Sequence, residues 1–276
     1  MNPEEEEFAE AGNMLQSSII SGGNHNSFPI SPMGPSPTDT VFGKSSYTMV
    51  NGEPWNEAVY TIRHEDLSIE LSLGHPMITS IEGSGGDSTG RLLWPAAVAF
   101  SYWLCGKETF DRWLTGGRGN TIEIAAGCCA MPGIALAGRV REAVGEGKVT
   151  VTELEMGVAL SILRENVEKN REIVGDCLEV LGLDVNEGTD GKKWDTVIGC
   201  ECVFDGLDPA KTASTIRSLL KDADGSVLIA GIEEGRGGGG WKAFDDEMAR
   251  SGLHLCQVEK IFEEEEFVVR IYSIRG

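Results

Sequence analysis

Three stretches of the chain hold residues whose types and spacing could do chemistry. The first is "IEIAAGCCAMPGIALAG", Ile122 to Gly138: an apolar run carrying Glu123, then Ala125, Ala126 and Gly127, then Pro132 and Gly133 opening a second apolar run. Small residues between a strand and a helix let backbone N–H groups and a helix amino terminus approach a nucleotide-like ligand. A buried apolar connection would have the same composition. The second is Glu153, at the end of "KVTVTE" and about 25 residues further on, a spacing that suits a carboxylate accepting both hydroxyl protons of a ribose. The competing reading is a helix-capping acid ahead of Leu154. The third is "GCECVFD", Gly199 to Asp205, where Glu201 and Phe204 put a carboxylate and an aromatic face at one strand end. Such a pair can hold an amine by hydrogen bonding and cation–π contact. A strand-end acid beside a core phenylalanine would read the same way.

These residues need elements to position them, and the pattern from Gly119 onward supplies them. "TIEIAA", "KVTVTE", "CLEVLGLDV", "WDTVIGCE" and "SVLIAGI" read as strands separated by helical stretches: Pro132 to Val144, Leu154 to Asn170, Asp208 to Leu220 and Trp241 to Arg250. The second of these carries Met156, Ala159, Leu163 and Val167 on one stripe. Asp208 is the expected N-cap of the third, with Pro209 at its first position. Strands alternating with helices predict a doubly wound, Rossmann-like, mostly parallel sheet. "LCQVEKIF" and "FVVRIYSI" leave no room for a crossover helix between them, so at least one of them is expected to be antiparallel.

Ahead of this core, residues 1–50 combine a Glu run with "SGGNHNSFPISPMGPSPT", a composition expected to stay disordered. Residues 51–118 are predicted to form a small extension: a hairpin around "HED", with Val59 and Thr61 on one arm and Leu67, Ile69 and Leu71 on the other, then a helix from Pro95 to about Cys105. The core is assigned to 119–276.

The composition of the 276 residues, 41% hydrophobic and 24% charged, suits a soluble globular protein. The longest apolar run, Leu92 to Gly106, is too short to span a bilayer. The acidic start "MNPEEEEF" lacks the positive charge of a targeting peptide, so the expected location is the cytosol or nucleus. Seven cysteines without a C-x-x-C pair are expected to be reduced structural thiols, and no metal site is expected. The formal charge of −21 disfavours nucleic acid and anionic membranes and suits a basic partner.

Together the motifs resemble the seven-strand, class I methyltransferases that use S-adenosyl-L-methionine, and more narrowly the family 16 protein-lysine methyltransferases. The likeness is carried by "LLWPAAVAFSYWL", "IEIAAGCCAMPGIALAG", "KVTVTELE", "LRENVEKN" with Asn166 and Asn170, "LGLDV" and "VIGCECVFD". By resemblance, Trp94 packs at the methionine end of the cofactor and Ala125, Ala126 and Gly127 line its backbone. Glu153 holds the ribose, Asp184 and Val185 the adenine edge, and Cys200 the pocket wall, while Glu201 and Phe204 face the acceptor amine. The implied activity is methyl transfer to an amine, with a basic protein segment as substrate; a small-molecule N-methyltransferase and a non-catalytic binding protein are the alternatives. Ala125 stands where the family has glycine, the next family glycine falls at Cys129 or Ala130, and Gly133 comes one residue late. Alanine suits position 125 if that backbone is extended.

Overall fold

The computed structural model describes residues 40–50, 53–76, 90, 93–114, 119–143, 145–155, 158–185, 191–203, 207–221, 225–233, 240–262 and 267–274. Seven strands form the central sheet: β4 (Thr121–Ile124), β5 (Val149–Glu153), β6 (Leu178–Gly182), β7 (Thr196–Cys200), β8 (Ser226–Ile232), β9 (His254–Phe262) and β10 (Phe267–Ser273). Their order is β6-β5-β4-β7-β8-β10-β9. The strands from β4 to β8 pair in parallel, and β10 runs antiparallel to both β8 and β9. The mostly parallel sheet with an antiparallel strand at its carboxyl end is therefore as the sequence predicts.

Alternation along the strands explains how the sheet is covered on both faces. Ile198 and Leu228 join one buried cluster, with Ile134, Leu136 and Leu163, while their chain neighbours Val197, Val227 and Ile229 join a second, with Ile216, Phe244 and Met248. The helices α1 (Pro95–Cys105), α3 (Met131–Glu142) and α4 (Val158–Lys169) supply the first layer. The second comes from α6 (Pro209–Leu219) and α7 (Gly240–Arg250). Two short helices, α2 (Lys107–Trp113) and α5 (Arg171–Val174), are the other α-helices among the described residues. Asp208 caps α6 as expected: Oδ1 accepts from the amides of Ala210 and Lys211, worth about 1 kcal/mol.

A second sheet lies outside the first layer. It has three antiparallel strands in the order β1-β2-β3: β1 (Thr40–Val50), β2 (Glu53–His64) and β3 (Leu67–Pro76). The hairpin around "HED" is present as β2 and β3. The expectation of a tail through residue 50 is corrected for its last part: residues 40–50 pair along their whole length with β2, which supplies the partner that composition alone could not reveal. Residues 1–39 lie outside the described residues. Asp66, in the hairpin turn, accepts from the buried Arg139 of α3 at 2.6 Å, and the same guanidinium lies over Phe110 of α2. None of the described helices is long and apolar enough to cross a membrane.

Candidate active site

In sheet order β4 lies between β5 and β7, so the chain leaves it in one direction to build β5 and β6 and returns on its other side to build β7. The crevice beyond the carboxyl ends of these strands is where an open α/β sheet binds its ligand. Of the predicted site residues, Ala125, Ala126 and Gly127 follow β4, Glu153 ends β5, Cys200 ends β7 and Glu201 follows it.

The turn between β4 and α3 is shaped by two glutamates. Glu123 is the acidic residue in the otherwise uncharged, fully buried strand β4. Its Oε2 accepts from the Gly133 amide at 2.8 Å, in the first turn of α3. Burial, opposed by that bond and reinforced by the negative charge of Glu153, pushes its carboxyl up to about 8. Glu153 reaches across from β5: Oε2 accepts from the Gly127 amide at 2.7 Å and Oε1 from its neighbour Leu154 at 3.0 Å. Glu153 therefore binds the turn. Leu154 and Glu155, which the sequence places in a helix, are not helical, and the described helix is Val158–Lys169. A carboxylate at this strand end presents two acceptor oxygens, which is what a ribose diol requires.

The backbone of the turn differs from expectation. Ala125 is not extended; it has φ 48°, Gly127 has φ 66° and Ala130 has φ 40°, all left-handed. Ala125 and Ala130 thus adopt the glycine conformation without glycine, at a cost of roughly 1–2 kcal/mol each. Bonds to the turn hold it there: Ala126 N donates to Thr152 O at 2.8 Å and Cys128 N to Gly90 O at 2.7 Å. Gly133 cannot be substituted so easily. A Cβ there would lie 2.3 Å from Val151 Cγ1 and 2.5 Å from Glu123 Oε2. The thiols of Cys128 and Cys129 are buried behind the turn, 3.7 Å apart.

Beside Glu153, the Leu183 amide donates to the Glu153 carbonyl at 2.9 Å and so holds the segment after β6 against β5. Asp184 on that segment is half-buried; Val185 is buried in the second cluster with Trp194. Trp94 is half-buried at the N-cap of α1. Cys200 is half-buried and pairs with Ala230 of β8. Glu201 is 8% exposed, has φ 52°, and donates its amide to Ala230 O at 2.9 Å. Its Oε1 lies 3.7 Å from the point a Gly231 Cβ would occupy, and the Trp241 ring lies 3.0 Å from the same point. Burial, with the Glu201 charge beside it, pushes the Cys202 thiol up to about 12, away from nucleophilic use. Phe204 lies outside the described residues. Met156 and the stretch 234–239 do so too.

Two contributors escape sequence reasoning. Gly90 carries no signal, being one of several glycines in "GSGGDSTG" whose carbonyl happens to meet Cys128. Leu154 is 45% exposed immediately after Glu153, an apolar surface at the ligand edge that shows only in three dimensions. No group of three or more His, Cys, Asp or Glu among the described residues is placed to hold a metal.

A family model described as lysine methyltransferase matches residues 75–235. The chain belongs to the lysine methyltransferase family. S-adenosyl-L-methionine is accordingly its cofactor, and the glutamate-lined turn with its small residues fits that group. A search of curated proteins found no match. Among solved structures, the S-adenosylmethionine-dependent methyltransferase SibL is similar at 12% identity and a TM-score of 0.50, over 63% of this chain and 54% of SibL. An O-methyltransferase family protein from Burkholderia thailandensis is similar at 14% identity and a TM-score of 0.49, over 68% of this chain and 57% of that one. The glycopeptide N-methyltransferase MtfA, solved with S-adenosyl-L-homocysteine, is similar at 14% identity and a TM-score of 0.46, over 56% of this chain and 80% of MtfA. The chain spans about half the length of SibL. The likeness to SibL is one of fold.

Proposed function

We propose that the protein transfers a methyl group from S-adenosyl-L-methionine to an amine, and that the amine is a lysine side chain of a basic protein segment. The observation that carries the reading is the division of labour around β4. Two glutamates fix the turn on the β5 side, and a third, Glu201, stands buried on the β7 side with its backbone anchored to β8. When bound, the cofactor supplies an electrophilic methyl on a sulfonium. Glu153 would hold the ribose hydroxyls, and the exposed Leu154 would offer the adenine an apolar surface. Trp94, Ala125, Ala126, Gly127, Asp184, Val185 and Cys200 complete the pocket. Glu201 accepts a hydrogen bond from the neutral amine, aims its lone pair, and stabilises the positive charge that nitrogen gains as the carbon–sulfur bond breaks. By the family resemblance, Phe204 would supply an aromatic face for the amine. Nothing covalent on the protein is required, so the raised Cys202 thiol is no obstacle.

The charge of −21 supports a basic acceptor through steering and complementarity. The test is incubation of the protein with methyl-labelled cofactor and a cell extract. Label recovered as methyl-lysine after protein hydrolysis is the expected result; label confined to small molecules would defeat the protein-lysine assignment.

A further inference from the structure

The free edge of β3 is covered by two asparagines of the α4 region. Asn166 Oδ1 accepts from the Gly74 amide at 2.7 Å and its Nδ2 donates to the Gly74 carbonyl at 2.8 Å. Asn170 does the same to Ser72, with Oδ1 accepting at 2.9 Å and Nδ2 donating at 2.7 Å. The match is geometric. Four helical residues rise about 6 Å, close to the roughly 6.6 Å spanned by two strand residues, and residues two apart on a strand point both backbone groups to one edge. Each carboxamide therefore imitates the next strand that an edge lacks.

The two asparagines differ in what else they hold. The Asn170 Nδ2 also donates to the Asn166 carbonyl, at 2.7 Å, a bond internal to the helix end. The Asn166 Nδ2 also donates to the carbonyl of Cys128, at 2.8 Å, in the turn after β4. Asn166 is fully buried, and its one acceptor and both donors are in use. The amide of Cys128 is taken by Gly90 O, and the residue before it, Gly127, is the one whose amide binds Glu153.

We propose that Asn166 is a positioning residue for the cofactor: by joining Gly74 to the Cys128 carbonyl it makes the N-terminal sheet set the shape of the turn, and so the affinity for cofactor. The inference rests on the reading of this turn as the cofactor site. It gives the three-strand sheet a role in binding although none of its described residues belongs to the proposed pocket.

The test compares two asparagine variants of the full chain by calorimetric titration with S-adenosyl-L-homocysteine and by melting temperature. Asn166→Ala and Asn170→Ala each remove one latch on β3, and both are expected to lower the melting temperature. Only Asn166→Ala is expected to raise the dissociation constant, by about tenfold, with Asn170→Ala staying within about twofold of wild type. Equal affinities for Asn166→Ala and wild type would overturn the proposal, as would equal weakening by both variants. Should Asn166→Ala not fold, hydrogen exchange in the wild-type chain decides. The ligand is expected to slow exchange of the Gly74 amide more than that of Ser72, and equal slowing would overturn the proposal. Failure of the wild-type chain to bind at all would overturn the cofactor reading and this inference with it, whereas binding with no difference between the variants overturns this inference alone.

Discussion

On the β5 side of β4, Glu123 and Glu153 give their carboxylates to the backbone of the turn, one to Gly133 and one to Gly127, and two alanines are held in a left-handed conformation between them. On the β7 side the arrangement is reversed: the backbone of Glu201 is held by β8, and its side chain lies at the proposed acceptor end, beside Gly231. The first region is shaped by many bonds to main chain, so it tolerates Ala125 and Ala130 in place of glycine. The second rests on one carboxylate. The absence of glycine at these two positions of the turn therefore reads as a change that the surrounding bonds absorb, and it leaves the bond between Glu153 and the Gly127 amide in place.

The comparison can be broken most sharply on the single-carboxylate side. Glu201→Gln keeps the shape and removes the charge; methyl transfer is expected to fall by about 100-fold or more, while affinity for S-adenosyl-L-homocysteine stays within a few-fold. An unchanged rate would remove Glu201 from the site. On the other side, Gly133→Ala forces a methyl against Val151 and Glu123. Denaturant unfolding is expected to show a loss of about 1–3 kcal/mol, together with weakened cofactor binding.

Smaller effects test the bonds that hold the turn. The folded-state value of Glu123, about 8, lies above its ordinary 4.5. In that interval the native state keeps a proton that the unfolded chain releases, so this group's contribution is fully present below about 4.5 and is lost as pH rises through about 8. Stability measured across that window is expected to decline more steeply in the wild type than in Glu123→Gln, and parallel curves would contradict the assignment. The smallest effect expected is from Ala125→Gly. Relief of a left-handed alanine, roughly 1–2 kcal/mol, is offset by the flexibility of glycine in the unfolded chain, roughly 0.5–1 kcal/mol. The net gain of about half a kcal/mol is within reach of thermal unfolding, and a loss would mean that the alanine methyl has a packing role.

What could be read in the sequence was whatever its immediate neighbours decide. The α6 start is legible because Asp208 caps amides two and three residues away, and the parallel strands are legible because each is a short apolar run between helix signals. Glu153 is legible as a strand-end carboxylate, but its bond to Gly127 joins residues 26 apart and is not. The left-handed backbone of Ala125 is imposed by β5 and by Gly90, against the residue's own preference. Asn166 and Gly74 are 92 residues apart, and nothing in "LRENVEKN" shows that its asparagines face a strand edge. β1 likewise needs β2 beside it before "TVFGKSSYTMV" becomes a strand.

The central claim, that the glutamate-held turn is a working cofactor site, is tested most directly by calorimetric titration of the purified chain with S-adenosyl-L-methionine. Saturable binding at one site per chain, weakened in Glu153→Ala, is the expected result; no detectable heat of binding at millimolar ligand would contradict it.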